Sequence, residues 1–133
     1  MRPINKVIIH CSATREGQDV KMEEIKSWHL DKGWRDIGYH YVIELDGSVK
    51  AGRPVELIGA HCLGQNKFSI GVCYVGGVDE KLQPKDTRTD EQKKALKKLI
   101  NKLRKQHEDI SIHAHHEYSN KACPSFNVVD EGY

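Results

Sequence analysis

The residues best suited to chemistry lie close together near the end of the chain, between positions 113 and 124. Imidazole nitrogens and thiolates are preferred zinc ligands, and the segment offers four of them: His113, His115, His116 and Cys123. Lys121 stands just before the cysteine, and its cation is suited to stabilising negative charge on a reacting oxygen. Histidine-rich segments also occur as plain polar loops, so a metal interpretation requires a ligand from elsewhere in the chain.

His10 is the candidate for that distant ligand. It ends the β-branched run from Lys6 to His10, which predicts a buried first strand, and a polar loop follows it. The alternating residues Ile110 to His115 predict a last strand that also ends in histidine. Ligands bind at the carboxyl edge of such strands. Two imidazoles with Cys123 leave one tetrahedral position open, which is typical of a catalytic zinc site.

The residue types alone leave the choice of ligands open. Alternation places His113 and His115 on one face of the last strand, His116 follows directly, and His40 lies on a predicted hairpin. Each of these histidines could therefore be a ligand.

Two further side chains have the chemistry that a hydrolytic site needs beside the metal. Tyr39 can hydrogen-bond a nucleophile, and Lys121 can stabilise an oxyanion.

Two helices are predicted to position these groups. The first covers Lys21 to Asp31, with Met22, Ile25 and Trp28 facing the core and Gly33 ending it. The second begins at a capping box, Thr89 with Gln92, and continues to about residue 107. Its buried stripe is Leu96, Leu99, Ile100 and Leu103.

Strands account for most of the remaining chain. Residues 38–52 predict a hairpin around Asp46-Gly47, with Tyr39, Tyr41 and Ile43 on one face. A long loop over 53–67 carries His61, and 68–75 predict a central strand. This order predicts a single α/β domain over residues 1–133, with a central mixed sheet flanked by helices.

Composition narrows the classes of function. The net charge of +2 is too small to require a nucleic-acid or membrane partner, and no apolar run approaches the roughly 18 residues that span a bilayer. The N-terminus lacks the apolar region of a secretory signal, so we expect synthesis in the cytoplasm, where the four scattered cysteines stay free. The lysine-rich second helix has no interleaved aromatics, so specific nucleic-acid binding is not expected. The sequence neither supports nor excludes a regulatory protein partner on that helix.

Several motifs together resemble a known family. They are Val7-Ile8-Ile9-His10-Cys11-Ser12-Ala13-Thr14, Gly38-Tyr39-His40-Tyr41, Ser69-Ile70-Gly71-Val72, Val75-Gly76-Gly77, Ala114-His115-His116-Glu117 and Lys121-Ala122-Cys123-Pro124. In this order they closely resemble the phage lysozyme-type N-acetylmuramoyl-L-alanine amidases. Those enzymes belong to the zinc-dependent amidase family that includes the peptidoglycan recognition proteins.

The resemblance implies a role for each candidate residue. It implies one zinc ion in a groove on one face of the sheet, with His10, His115 and Cys123 as its ligands. It also implies that Tyr39 and Lys121 are catalytic and that His61 lines the groove and contacts substrate. The implied reaction is hydrolysis of the amide bond between N-acetylmuramic acid and L-alanine in peptidoglycan. The implied protein is an endolysin that acts on the cell wall after release, with a monomer as the default state.

Two rival functions use the same residues. A recognition module would bind peptidoglycan without cutting it, although the complete set of implied ligands favours an enzyme. A cysteine peptidase would use Cys123 as its nucleophile and His115 as its base. Such a peptidase would tolerate chelators, whereas a zinc amidase would not.

Overall fold

The computed structural model describes residues 2–133, which form seven strands and two α-helices. The strands are β1 (Lys6–Cys11), β2 (Thr14–Arg15), β3 (Tyr41–Ile43), β4 (Val49–Ala51), β5 (Ser69–Tyr74), β6 (Gly77–Val78) and β7 (Ser111–Ala114). The helices are α1 (Met22–Asp31) and α2 (Asp90–Gln106). No helix within this part of the chain is both long and apolar enough to cross a membrane.

Five strands form one mixed sheet in the order β4-β3-β5-β1-β7. β1 is parallel to both of its neighbours, β5 and β7, and β3 is parallel to β5, whereas β4 is antiparallel to β3. β2 and β6 form a separate parallel pair. Because the first strand lies between β5 and the last strand, its carboxyl end meets theirs at one edge. The predicted mixed sheet flanked by helices is confirmed.

α2 covers one face of this sheet. Its predicted stripe of four leucine and isoleucine residues is buried and packs on Val7, Ile9 and Val72. The helix begins as predicted, because Thr89 Oγ1 accepts from the Gln92 N–H and the Gln92 side chain bonds back to the Thr89 N–H. Fully burying one such aliphatic side chain contributes about 1.5–3 kcal/mol. This stripe therefore fixes α2 on the sheet.

α1 lies on the other side, against Val20, Ile37 and Val42. Ile25 and His29 are its buried residues, one helical turn apart. Trp28 is 42% exposed, so the prediction that it faces the core was wrong. The inward face of this short helix is occupied by Ile25 and His29, which leaves Trp28 at the rim. Gly33 follows the helix with φ +89°, as predicted for its end.

The pleat of β1 assigns its side chains to the two faces. Val7, Ile9 and Cys11 join the α2 core, so Ile8 and His10 point to the side of α1. Cys73, the register partner of His10 on β5, packs in the α1 cluster, as the same-face rule requires. His10 therefore opens onto the face opposite α2.

The predicted hairpin strand is shorter than the sequence suggested. The chain bends at His40, and β3 begins only at Tyr41. Tyr41 packs against the α2 core with Ile43, whereas Tyr39 packs against the α1 cluster. The prediction of one shared face for Tyr39, Tyr41 and Ile43 was wrong, because the bend breaks the alternation between Tyr39 and the strand.

Candidate metal centre and groove

Three potential metal ligands meet at the carboxyl edge of the sheet. One ligand atom from each of His10, His115 and Cys123 lies within 4.8 Å of the other two. His10 is 1% exposed, and the other two side chains are partly buried. Within residues 2–133 no other histidine, cysteine or carboxylate group of three comes together in this way. Two imidazoles and one thiol are a donor set that suits zinc.

The parallel pairing of the first and last strands brings the two histidines together. In the register Ile9 lies opposite Ala114, so the next residues, His10 within β1 and His115 just after β7, lie side by side. Their ring centroids are 4.5 Å apart. A single 3-10 turn, His115–Glu117, follows β7, and the Glu117 carboxylate accepts from the N–H of Ala114. This bond fixes the point at which His115 leaves the strand.

Cys123 reaches the site from the loop that follows the turn. The N–H of His116 donates to the Cys123 carbonyl (2.8 Å), which folds the loop back, and the N–H of Cys11 donates to Cys123 Sγ (3.1 Å). The hydrogen bond with the Cys11 thiol, together with burial, raises the pKa of Cys123. The thiol therefore keeps its proton until an ion displaces it.

The other candidate histidines lie outside the cluster. His113 is 2.7 Å from Ser111 Oγ and 3.0 Å from the Glu117 carboxylate, and His116 is exposed. His40 is buried, with its Nε2 2.8 Å from the Leu57 carbonyl. Alternation alone had left His113 and His115 as equal candidates, but β7 ends at Ala114 and the turn redirects His115, so of these two only His115 joins the cluster.

Burial and nearby cations keep the two imidazoles neutral. The pKa of His10 lies well below its ordinary value, chiefly because the ring is buried. Electrostatic repulsion from the neighbouring His61, His115 and Lys121 lowers it further. Burial and Lys121 also lower the pKa of His115. Neutral imidazoles are the form that binds a metal ion, so both rings are prepared as ligands.

A groove of about 360 Å³ opens beside the cluster. Tyr39, His61, His115 and Lys121 line it, so the structure brings the predicted catalytic and substrate-contact residues to one surface. The Tyr39 ring lies 5.1 Å from the His10 ring, centroid to centroid. Burial, followed by the thiols of Cys73 and Cys123, raises the pKa of Tyr39 well above its ordinary value. Its hydroxyl is therefore a hydrogen-bond donor at neutral pH.

The sequence interpretation missed two residues that support Tyr39. His29 Nδ1 accepts from the N–H of Gly38 (2.8 Å), and its ring lies 5.5 Å from Tyr39 and 4.6 Å from Trp34. Trp34 also lines the groove. The only sequence signal was the placement of His29 one turn after Ile25, on the buried face of α1. No local pattern identified Trp34.

Comparison with known proteins places these residues in a family. The family described as N-acetylmuramoyl-L-alanine amidase matches residues 1–126. An endolysin of Klebsiella phage KP32 is 44% identical over 124 residues, covering 93% of this chain and 82% of the relative. An endolysin N-acetylmuramoyl-L-alanine amidase from Clostridium intestinale superposes with a TM-score of 0.84 at 25% identity, covering 98% of this chain and 81% of the other.

The same fold occurs in proteins named for recognition. The PGRP-SA protein of Apis mellifera superposes with a TM-score of 0.81 at 28% identity, covering 98% of this chain and 82% of the other. The match to the amidase family spans both His10 and Cys123, the first and last of the three clustered ligands. This chain belongs to the N-acetylmuramoyl-L-alanine amidase family.

Proposed function

We propose that this chain hydrolyses the amide bond between N-acetylmuramic acid and L-alanine in peptidoglycan, using one zinc ion held by His10, His115 and Cys123. Family membership and 44% identity to a phage endolysin support the reaction. The observation that carries the zinc site is the approach of the three ligand atoms to within 4.8 Å. Residues 1–133 act as one amidase domain in this proposal.

A zinc ion in this site supplies a Lewis acid that polarises a carbonyl oxygen and lowers the pKa of a water molecule. Cys123 contributes the single negative charge among the three ligands, and His10 and His115 bind as neutral rings. Because the cluster supplies only three ligands, a zinc ion held by them would be free to bind water or substrate as well. The groove beside the cluster would admit a polymer chain to such an ion.

Tyr39 and Lys121 act on the reacting amide beside the ligands. The protonated Tyr39 hydroxyl donates a hydrogen bond to the nucleophile or to the tetrahedral intermediate. The exposed Lys121 ammonium lies close enough to lower the pKa of both ligand histidines, so its charge is also available to an oxyanion at the same position. His61 contacts the substrate from the groove wall.

The polymer that the enzyme binds in this proposal is peptidoglycan. The enzyme reaches the cell wall after release from the cytoplasm, in which it is made. We expect the chain to act as a monomer. A module that binds peptidoglycan without cutting it is the alternative function, because PGRP proteins share the fold. Cleavage of peptidoglycan distinguishes the two functions.

The decisive experiment is mass spectrometry of purified peptidoglycan incubated with the protein, with and without a zinc chelator. We expect stem peptides with a free L-alanine amino terminus only when chelator is absent. His115→Ala abolishes these products, whereas the matched variant His113→Ala retains them, since His113 lies outside the cluster. Products that persist in chelator point to the cysteine peptidase. Zinc binding at one per chain without products points to a recognition module.

A further inference from the structure

His61 contacts the candidate ligand His10 directly. His61 Nδ1 lies 2.9 Å from His10 Nε2, and the two rings meet edge to face with centroids 4.9 Å apart. Either nitrogen could carry the shared proton if this contact stood alone. The direction matters, because a neutral imidazole has one protonated nitrogen and one free lone pair. Whichever nitrogen of His10 carries the proton is lost as a metal ligand.

The next contact along the chain of hydrogen bonds fixes the direction. Ser69 Oγ lies 2.7 Å from the Gln65 carbonyl oxygen and 3.3 Å from His61 Nε2. A carbonyl oxygen has no proton to give, so the Ser69 hydroxyl donates to Gln65. The Ser69 oxygen then accepts from His61 Nε2–H. A neutral imidazole has only one ring proton, so in the neutral His61 ring this proton lies on Nε2.

The remaining assignment follows from proton counting. With its proton on Nε2, His61 offers only a lone pair at Nδ1, and His10 must donate its Nε2–H to that lone pair. When the proton of a neutral His10 ring lies on Nε2, its Nδ1 has a free lone pair. We propose that His61 is a positioning residue that holds the proton of His10 on Nε2 and so reserves His10 Nδ1 for the metal; this inference rests on the zinc site proposed above.

The surroundings hold His61 in place for this role. Its ring lies against Gly71 of β5, where an added Cβ would come within 2.5 Å of the ring carbons Cγ and Cδ2. Asn66 Oδ1 accepts from the backbone N–H groups of His61 and Cys62 (2.9 and 3.0 Å). Arg2 ties the same loop to the sheet, donating to the carbonyls of Val55 and Ser69 (both 2.9 Å).

The chemistry of the acceptor has a consequence for the metal. Metal-binding histidines commonly donate their second N–H to a carboxylate or a carbonyl, which orients the ring and raises its basicity. Here the acceptor is a neutral imidazole. It orients His10 without adding a negative charge near the ion, so Cys123 supplies the only anionic ligand of the site.

The test compares His61→Leu, which removes the acceptor but retains bulk, with His61→Asn, whose side-chain oxygen replaces Nδ1. Zinc affinity is measured by competition with a chromophoric chelator. We expect His61→Leu to weaken zinc binding about 10–100-fold, as loss of a ligand's hydrogen-bond partner does. His61→Asn restores most of the affinity, and His113→Ala leaves it unchanged. Unaltered affinity in His61→Leu would overturn the proposal. A residue that only contacts substrate would change KM and leave zinc affinity untouched.

A second readout does not depend on the metal. The nitrogen chemical shifts of His10, recorded by NMR on the zinc-free chain at neutral pH, report which ring nitrogen has the proton. We expect protonated Nε2 in the wild type and a mixture of both tautomers in His61→Leu. A protonated Nδ1 in the wild type contradicts the assignment. If the wild type binds no zinc but shows the Nε2–H form, the proposed zinc site fails while the role of His61 in directing the proton holds.

If His61→Leu does not fold, Ser69→Ala tests the same relay with a smaller change. It removes the acceptor of His61 Nε2–H, so His61 loses its tautomer preference and the His10 spectrum becomes a mixture. An unchanged His10 spectrum in Ser69→Ala would show that Ser69 does not set the direction and would overturn the relay.

Discussion

Tyr39 lies with its ring 5.1 Å from that of His10 and tilted by 52°, on the side of the sheet that faces α1. Its place there depends on the bend at His40, which removes it from the face used by Tyr41 and Ile43. The His29 ring packs near Tyr39, and the Trp34 ring packs near His29, so the three rings follow one another along the groove wall. The groove therefore has a phenol held by packed aromatic rings beside a candidate metal ligand.

Tyr39→Phe tests whether this phenol acts as a donor. We expect kcat to fall about 100–1,000-fold, the cost of removing one donor to a developing oxyanion, with zinc affinity unchanged. The pKa of Tyr39 is raised well above its ordinary value, so the hydroxyl stays protonated throughout the neutral and mildly alkaline range. The ratio of wild-type to variant kcat should therefore be constant there. A ratio that falls as pH rises would mean that Tyr39 ionises during the assay.

Lys121→Ala removes the cation at the mouth of the cluster. We expect a loss in kcat of about 100–1,000-fold with the metal content unchanged, because the ammonium interacts with the oxyanion rather than with the ion. Lys98→Ala is the matched control, since Lys98 lies on α2, across the sheet from the groove. Steady-state kinetics on purified peptidoglycan, with zinc content measured in parallel, decide the matter. Wild-type turnover in Lys121→Ala would remove its catalytic role.

Zinc should also stabilise the fold. An ion that binds only the folded chain adds about 4 kcal/mol to the free energy of unfolding when present at about 1,000 times its dissociation constant. We expect the thermal midpoint to rise on zinc addition and to fall again with chelator. Calorimetry on His115→Ala should show no such rise, whereas His113→Ala should behave like the wild type. An equal rise in both variants would place the stabilising ion elsewhere.

The ion pairs of Arg88 with Asp86 and Glu131 predict how the stability of the protein changes at acid pH. The Arg88 side chain is 2% exposed and donates to both Asp86 oxygens (2.9 and 2.8 Å) while also pairing with Glu131. Burial alone would raise the pKa of Asp86, but the hydrogen bonds and charge of Arg88 lower it below its ordinary value. A carboxylate with a depressed folded-state pKa stabilises the protein above its unfolded pKa, and this contribution is lost as pH falls through the folded value.

Asp86→Asn isolates that contribution. We expect the variant to be less stable than the wild type by about 1–2 kcal/mol near neutral pH, the range for a hydrogen bond to a charged group. The difference should shrink as the pH falls below about 4, the unfolded value for aspartate. Denaturant unfolding in chelator, at a series of pH values, removes any contribution from the metal. A difference that stays constant down to pH 2 would contradict the assignment.

The approach of His10 to His115 was predictable because it depends on strand order. His10 lies near the carboxyl end of β1 and His115 directly follows β7, and parallel pairing brings such positions together whatever the details of packing. Both helices were predicted for a similar reason, since capping and apolar spacing are local. Trp28 was misplaced because the width of the buried face of α1 depends on what lies beneath it. The bend at His40, which redirects Tyr39, has no local signature in the chain.

The hydrogen bond between His61 and His10 could not be predicted from the sequence. His61 lies on a long loop, and its ring orientation depends on Asn66, Arg2 and the bare Cα of Gly71, which are distributed over the chain. Resemblance to a family could indicate that His61 lines the groove. Only the three-dimensional arrangement relates its proton to that of His10.

The central position of β1 has a consequence for the order in which the enzyme becomes competent. Cys11 and Cys123 are 112 residues apart, yet the N–H of one donates to the sulfur of the other. At synthesis rates of about 5–20 residues per second, His10 waits several seconds or more before its partners leave the ribosome. A nascent chain that ends before β7 lacks this edge strand and two of the three candidate ligands, His115 and Cys123. We therefore expect hydrolytic capacity only after translation has passed Cys123, and none in chains truncated before it.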